Sequence, residues 1–191
     1  MNLVLYSKRL KFTPFDALDV DLAIEMFTDA EVLKFAGGVM EEDEIRRDMS
    51  NWTKRGGNGC IGIWCISDQD SGEKLGSAAL LPMPVEEDDT DFSLVIPGRM
   101  PDGDVEIGYF LKRSAWGQGY ATETCNRLIR IAFEESPLTE VVATFDIGNV
   151  ASRNVLKKGG FVNRGTMRCY GEEGPNYRIT RDEWLRSQQS T

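Results

Sequence analysis

Residues 104–123 read Asp-Val-Glu-Ile-Gly-Tyr-Phe-Leu-Lys-Arg-Ser-Ala-Trp-Gly-Gln-Gly-Tyr-Ala-Thr-Glu. The alternating run from Val105 to Leu111 is typical of a β-strand, and it is followed by a polar turn and by Gly117-x-Gly119. An amphipathic helix begins next, with apolar residues at Cys125, Leu128, Ile129, Ala132 and Phe133. This order predicts an anion cradle, because glycines let the backbone approach a ligand and a helix start presents unpaired N–H groups. A plain strand-to-helix turn is the alternative.

The composition indicates a soluble globular protein that forms one domain, residues 1–191, with 41% hydrophobic and 28% charged residues. The formal net charge of −9 disfavours a nucleic-acid partner, which needs a basic face. The N-terminal residues are too few and too charged for a signal peptide, and no apolar run approaches the roughly 18 residues of a membrane span. We therefore expect a cytoplasmic protein with no membrane contact.

The sequence contains no histidine, which excludes histidine-based triads and histidine metal sites. Acid–base chemistry must then use carboxylates, Tyr, Ser, Cys, Lys or water. None of the four cysteines forms a C-x-x-C pair, so we predict no metal site. Cys60, Cys65 and Cys125 lie in apolar patterns, which predicts buried and unreactive thiols.

Helical patterns come early in the chain and again after residues 119 and 149, with β-prone runs between and after them. The predicted strands are 3–12, 60–67, 74–81, 105–111, 141–145, 161–170 and 177–180, with a turn at 171–174 and a final turn at 182–184. This layout predicts the α+β class with a mixed sheet.

Residues 82–104 differ from the rest of the chain. They contain four prolines and seven acidic residues against Arg99 alone, which predicts a long acidic loop with a short ordered piece at Phe92 to Ile96. Long loops in compact domains are often functional. A solvated loop without a role is the alternative.

Two motifs about thirty residues apart carry a family resemblance: Trp-Gly-Gln-Gly-Tyr-Ala-Thr-Glu at 116–123 and Asn-x-x-Ser-x-x-Val-Leu-x-Lys-x-Gly-Phe at 149–161. With them the chain resembles the GNAT acyltransferases, and most of all the branch of the ribosomal-protein alanine N-acetyltransferases (RimJ/RimL type). The opening segment 7–15 and the closing segment 181–184 also match that branch. The resemblance covers nearly the whole chain, with 82–104 as an apparent insertion.

The resemblance implies acetyl-CoA as the co-substrate and a mostly antiparallel central sheet with helices on both faces. It assigns the pyrophosphate loop to Trp116, Gly117, Gln118, Gly119, Tyr120, Ala121 and Thr122. It also implies that Phe110 and Leu111 offer backbone groups to the pantetheine arm. Asn149 and Ser152 would lie near the thioester and pantetheine, and Lys158 would approach the nucleotide phosphates. As an alternative, Asn149 and Ser152 form only a helix N-cap.

Acetyl transfer to an amine needs a neutral amine, a polarised carbonyl and a proton for the leaving thiolate. Glu106 and Asp104 are candidate bases beside the cradle, and Ser152, or a water that it holds, is the candidate proton donor. Glu172 and Glu173 lie where relatives place an acceptor-side carboxylate. Each carboxylate has a purely structural alternative.

One position departs from the family pattern. Many GNAT enzymes carry a tyrosine general acid on the late helix, and this chain has Leu156 there. Tyr109 or Tyr170 could substitute, and a non-catalytic acyl-CoA-binding sensor stays open as an alternative function.

The acidic loop predicts a cationic amine as the acceptor, such as a basic N-terminus or a polyamine. We also consider a homodimer.

Overall fold

A twisted sheet runs through residues 3–189, the part of the chain that the computed structural model describes. The strands are β1 (Leu5–Tyr6), β2 (Leu10–Pro14), β3 (Arg55–Gly56), β4 (Ile61–Asp68), β5 (Lys74–Pro82), β6 (Val105–Leu111), β7 (Glu140–Ala143), β8 (Val162–Cys169) and β9 (Glu172–Thr180). Their order is β1-β2-β4-β5-β6-β7-β9-β8, with β3 beside β4. Within the described residues the β6–β7 pair is the one parallel pair, which confirms a mixed, mostly antiparallel sheet.

Helices cover both faces of the sheet. They are α1 (Val20–Phe27), α2 (Glu42–Trp52), α3 (Tyr120–Glu134), α4 (Val150–Lys158) and α5 (Arg181–Gln188). Helices α1 and α2 pack on one face around Met26 and Ile45, whereas α3 and α4 pack on the other around Leu128 and Leu156. In residues 3–189, no helix combines the length and apolar character that a bilayer crossing requires.

Helix α3 buries the apolar stripe that its sequence predicts. Its buried residues include Cys125, Leu128, Ile129, Ala132 and Phe133. The helix begins after Gly119, whose φ of 81° is a left-handed conformation that suits glycine. This long helix therefore anchors the glycine turn against the centre of the sheet.

The C-terminal hairpin differs from the prediction. Cys169 pairs with Glu172, so the turn contains only Tyr170 and Gly171, and β9 starts five residues before the predicted strand. The turn predicted at 171–174 is therefore wrong beyond Gly171, and a Cβ atom added at Gly174 would stand 2.8 Å from the Thr144 hydroxyl oxygen. Glycine here permits close packing within a strand. The predicted final turn is the eight-residue helix α5, which starts with a capping box between Thr180 and Glu183.

Strands β5 and β6 approach each other closely at Gly76. A Cβ atom there would lie 2.1 Å from the Phe110 carbonyl oxygen and 2.9 Å from the Leu111 Cα. At Gly108 on the facing strand, an added Cβ would meet only the Ala79 Cβ, at 3.8 Å.

We expect Gly76→Ala to lower the free energy of unfolding by about 2–3 kcal/mol. The new methyl group would overlap backbone atoms of β6, which cannot move without disturbing the sheet. The matched variant Gly108→Ala should stay within about 1 kcal/mol of wild type. Chemical denaturation of both variants measures the difference. Equal stabilities would contradict the close approach of the two strands.

Candidate active site

Strands β6 and β7 meet and then separate. Their parallel pairing consists of Glu106 opposite Val142. The remainder of β6 continues without a partner from β7, although β5 pairs with it along its whole length. The second half of β6 therefore has an unpaired edge on the side of β7, and we call the space beside this edge the cleft.

Backbone groups of β6 line this cleft at alternate residues. The Lys112 N–H donates to Leu75 and the Met83 N–H donates to Asp104, so even-numbered residues bond towards β5. The Phe110 carbonyl oxygen also points at Gly76 of β5. Tyr109 and Leu111 therefore turn their backbone groups towards the cleft. Of the predicted pair Phe110 and Leu111, the backbone geometry favours Leu111 as a cleft-facing residue and adds Tyr109.

The Phe110 side chain instead packs on the α1 face, in edge contact with Phe27 at a ring distance of 5.3 Å. The Leu111 carbonyl accepts a hydrogen bond of 2.8 Å from the Trp116 indole N–H. Trp116 is half-exposed, and its hydrogen bond links the glycine turn to the end of β6.

The glycine turn presents the start of α3 to solvent. Gly117 and Gly119 have φ values of 74° and 81°. No side chain caps the helix, and Gly119 occupies the N-cap position. The N–H groups of Tyr120, Ala121 and Thr122 consequently stand at an open helix start, where an anion is favoured.

Arg9 brings a positive charge to this turn. Its Nη1 donates to the Gln118 carbonyl at 3.0 Å, and its Nε donates to the Glu123 carboxylate at 2.7 Å. The guanidinium carbon lies 4.4 Å from the centre of the Tyr120 ring. The sequence pattern does not assign a role to Arg9. Its position in segment 7–15, which matches the family, is the feature that could have indicated one.

The Glu123 carboxylate accepts several hydrogen bonds. Burial opposes ionisation, but hydrogen bonds from the Arg9 backbone and side chain and from Ser7 lower the pKa of Glu123. Gln118 is also fixed, because its side-chain amide donates to the Ser114 carbonyl at 2.9 Å. These hydrogen bonds stabilise the conformation of the glycine turn.

Helix α4 starts beside the cleft with two of the predicted residues. Asn149 caps the helix, since its Oδ1 accepts from the Ser152 N–H at 3.0 Å. The Ser152 hydroxyl lies 3.3 Å from the Tyr109 hydroxyl, which β6 supplies. Burial raises the pKa of Tyr109, so the phenol stays protonated. Leu156 is fully buried in the core, whereas Lys158 lies exposed in the last turn of α4.

Glu106 lies on the opposite face of β6 from Tyr109, because side chains alternate along a strand. Its Oε2 accepts a hydrogen bond of 2.5 Å from the Tyr170 hydroxyl. The pKa of Glu106 is raised to about 7, because burial and, to a smaller extent, the charge of Asp89 raise it while the Tyr170 hydrogen bond lowers it. The carboxyl group is therefore suited to exchange protons near neutral pH.

The three other predicted carboxylates lie elsewhere. Glu172 is exposed on β9, so its predicted position in a turn is wrong, and Glu173 follows it on the same strand. Asp104 forms a bidentate pair with Arg178, with contacts of 3.1 and 2.5 Å. This ion pair engages both oxygens of Asp104, whereas Glu106, at the β6–β7 pair, accepts its hydrogen bond from a neutral phenol.

The family description "Acetyltransferase (GNAT) domain" matches residues 9–162 of this chain. The chain belongs to the GNAT acetyltransferases. An "FsC-acetyl coenzyme A-N(2)-transacetylase" of Aspergillus fumigatus is 31% identical over 194 residues, which cover 96% of this chain and 79% of that relative.

Solved structures agree with the GNAT fold. A GNAT-family acetyltransferase from Bacillus anthracis matches with a TM-score of 0.72 and 19% identity, over 94% of this chain and 99% of that one. RimL, the ribosomal L7/L12 alpha-N-protein acetyltransferase solved with coenzyme A, matches with a TM-score of 0.67 and 18% identity, over 93% and 97%. The GNAT resemblance of the sequence is thus confirmed.

This GNAT protein is an acetyl-CoA-dependent N-acetyltransferase, so the non-catalytic alternative is not retained. The open start of α3, the left-handed glycines and Arg9 fit the pyrophosphate of acetyl-CoA. The described residues contain no group of three or more Cys, Asp or Glu side chains arranged for a metal ion.

At a concentration 100 times its dissociation constant, acetyl-CoA should raise the free energy of unfolding by about 2.7 kcal/mol. Gly119→Val should abolish this gain, since a branched side chain is strained at a φ of 81°. Gly103→Val is the matched control, with a φ of 89° and no neighbour within 4 Å of an added Cβ. Thermal unfolding with and without acetyl-CoA measures the gain. Full stabilisation of Gly119→Val would argue against the cradle.

Proposed function

We propose that the protein transfers an acetyl group from acetyl-CoA directly to a primary amine that is cationic in solution. One observation carries this proposal. Glu106 lies on one face of β6 and the Tyr109–Ser152 pair lies on the other, at the point where β6 leaves β7. An acceptor and a donor approaching from opposite faces would meet in the cleft.

Each face then holds the group that its substrate needs. Acetyl-CoA supplies an activated thioester. The cationic acceptor first loses one proton to solvent. Glu106 then accepts the second proton, which the neutral nitrogen loses when its bond to the acetyl carbon forms and the bond from that carbon to sulfur breaks. The Ser152 hydroxyl, beside Tyr109, donates a proton towards the departing sulfur. Positioning both reactants in one cleft supplies much of the rate enhancement in such reactions.

The cysteines favour direct attack over an acetyl-enzyme intermediate. All four thiols are buried. Burial raises the pKa of Cys65 and of Cys125 to about 12, and it also raises the pKa of Cys60 and of Cys169. A thiol must ionise to act as a nucleophile. With no histidine to activate a serine, a ternary complex is the simpler route.

The charge around Glu106 supports a cationic acceptor. Asp89 of the 82–104 loop raises the pKa of Glu106, and Glu86, Glu87 and Asp88 are exposed just before it. The names of the relatives point to different acceptors: one acts on N(2) of FsC and another on the alpha-amine of a ribosomal protein. The acceptor class is therefore argued from local charge and not from the fold.

The base is tested with Glu106→Gln. We expect kcat at a saturating amine to fall roughly 100-fold, because general-base catalysis contributes about that much or more. The acidic limb of the kcat–pH profile, expected near pH 7 where the carboxylate becomes ionised, should disappear. Glu42→Gln, on exposed α2, should keep both the rate and the limb. A limb that survives unchanged in Glu106→Gln would refute this role.

The acceptor class is tested by neutralising the loop with Glu87→Gln, Asp88→Asn and Asp89→Asn together. For a polyamine, KM should rise about five-fold, since each nearby charge contributes up to roughly 1 kcal/mol in water. Added salt should have less effect on KM than in wild type. The control combines Asp21→Asn, Asp70→Asn and Asp182→Asn, three exposed positions with the same change in charge. If both triple variants behave alike, only net charge matters.

A further inference from the structure

Tyr170 occupies an unusual backbone position. Its φ of 51° makes it one of two non-glycine residues with a positive φ in residues 3–189. With Gly171, at φ 71°, it forms the two-residue turn between β8 and β9. Such turns favour Asn, Asp and Gly, and a bulky residue in this conformation is disfavoured. A tyrosine here indicates that the side chain performs a task that a better turn residue would not.

The task is visible in the contact that the hydroxyl makes. Tyr170 donates to Oε2 of Glu106 at 2.5 Å, and this bond joins the hairpin turn to β6, on the far side of β7 in the sheet. Because one carboxylate oxygen accepts from Tyr170, the other oxygen is directed elsewhere. The orientation of the Glu106 carboxylate thus depends on the hairpin turn.

The 82–104 loop holds that turn in place. The Tyr170 N–H donates to the Pro84 carbonyl at 3.3 Å, and the Gly171 N–H donates to the Val85 carbonyl at 3.0 Å. Next to the turn, Arg168 binds the Glu86 carboxylate through Nε and Nη2, with Nη2 at 2.7 Å. Two backbone bonds and an ion pair therefore attach the loop to the turn and to the end of β8.

We propose that Tyr170 is a positioning residue for the acceptor-side base: its hydroxyl holds Glu106 with one oxygen free for the acceptor's proton, and residues 84–86 hold Tyr170. This inference rests on the proposed role of Glu106 and goes beyond it. It gives the start of the loop a structural task, separate from the charge that residues 87–89 present to the acceptor.

The charged and titratable groups around Glu106 determine the direction in which its pKa moves when the Tyr170 hydroxyl is removed. Tyr170 faces it from the turn, Cys169 from β8 and Asp89 from the loop, with Asp48 of α2 beside Asp89. The Tyr170 hydrogen bond stabilises the ionised carboxylate, whereas burial and Asp89 oppose ionisation. Removal of the hydroxyl should therefore raise the pKa of Glu106 and move the acidic limb of the rate profile to higher pH.

Tyr170→Phe keeps the ring and removes the hydroxyl. We expect the limb of the kcat–pH profile to move up by about one pH unit, so that kcat falls about five-fold at pH 7 and changes little at pH 9. The KM for acetyl-CoA should stay unchanged. A merely structural role would lower the rate equally at both pH values, and that result would overturn the proposal.

Tyr170→Asn provides a second variant, because asparagine suits the left-handed turn and folding is then not strained at this residue. It should move the limb in the same direction. Tyr6→Phe is the matched control, since Tyr6 is 53% exposed, and its limb should match wild type. A limb that stays in place in both Tyr170 variants would refute the positioning role.

Two measurements separate this inference from the proposed function. Carbon-13 NMR of the Glu106 carboxyl reports its pKa without turnover, and that pKa should rise in Tyr170→Phe. If Glu106→Gln keeps the wild-type limb, the base assignment fails whatever the NMR result. If Glu106→Gln loses the limb but the carboxyl pKa is the same in Tyr170→Phe and wild type, the positioning role alone fails.

Discussion

The separation of β6 from β7 beyond the Glu106–Val142 pair is the constraint on which the site depends. A sheet normally satisfies every interior N–H and C=O group by pairing, and here β6 retains groups that face an open cleft. The stability of this arrangement comes from β5, which pairs with all of β6, and from α3, which packs below both strands. The unpaired part of β6 thus lies in a region of the sheet that β5 and α3 stabilise.

The two faces of β6 carry different polar groups because side chains alternate along a strand. Tyr109 points to the α3 and α4 face and meets Ser152, whereas Glu106 points to the other face and meets Tyr170. Leu156 sits where many GNAT proteins carry a tyrosine, and here it is a core residue. A tyrosine hydroxyl still lies at the start of α4 in this protein. It belongs to Tyr109 of β6 and not to a residue of α4.

The acidic loop and the C-terminal hairpin form one unit beside Glu106. Backbone bonds join residues 84 and 85 to the turn, and the Arg168–Glu86 pair lies next to them. Exposed ion pairs contribute little stability, so the two backbone bonds and the partly buried Tyr170 side chain account for most of the attachment. Strand β6, the start of α4 and the hairpin turn supply the polar groups of the site, and the sheet sets the distances between them.

Four features could be predicted from local spacing or from a contiguous motif: the glycine turn, the amphipathic stripe of α3, the Asn149 cap and the GNAT fold class. The sequence did not determine the two-residue turn at Tyr170 or the length of β9, where pairing with β8 overrides the local preference of Gly174 and Pro175. Arg9 beside Gln118, Tyr109 beside Ser152 and Tyr170 beside Glu106 were decided only by the tertiary structure. Each pair joins residues far apart in the chain, and only the packing of the sheet sets such distances.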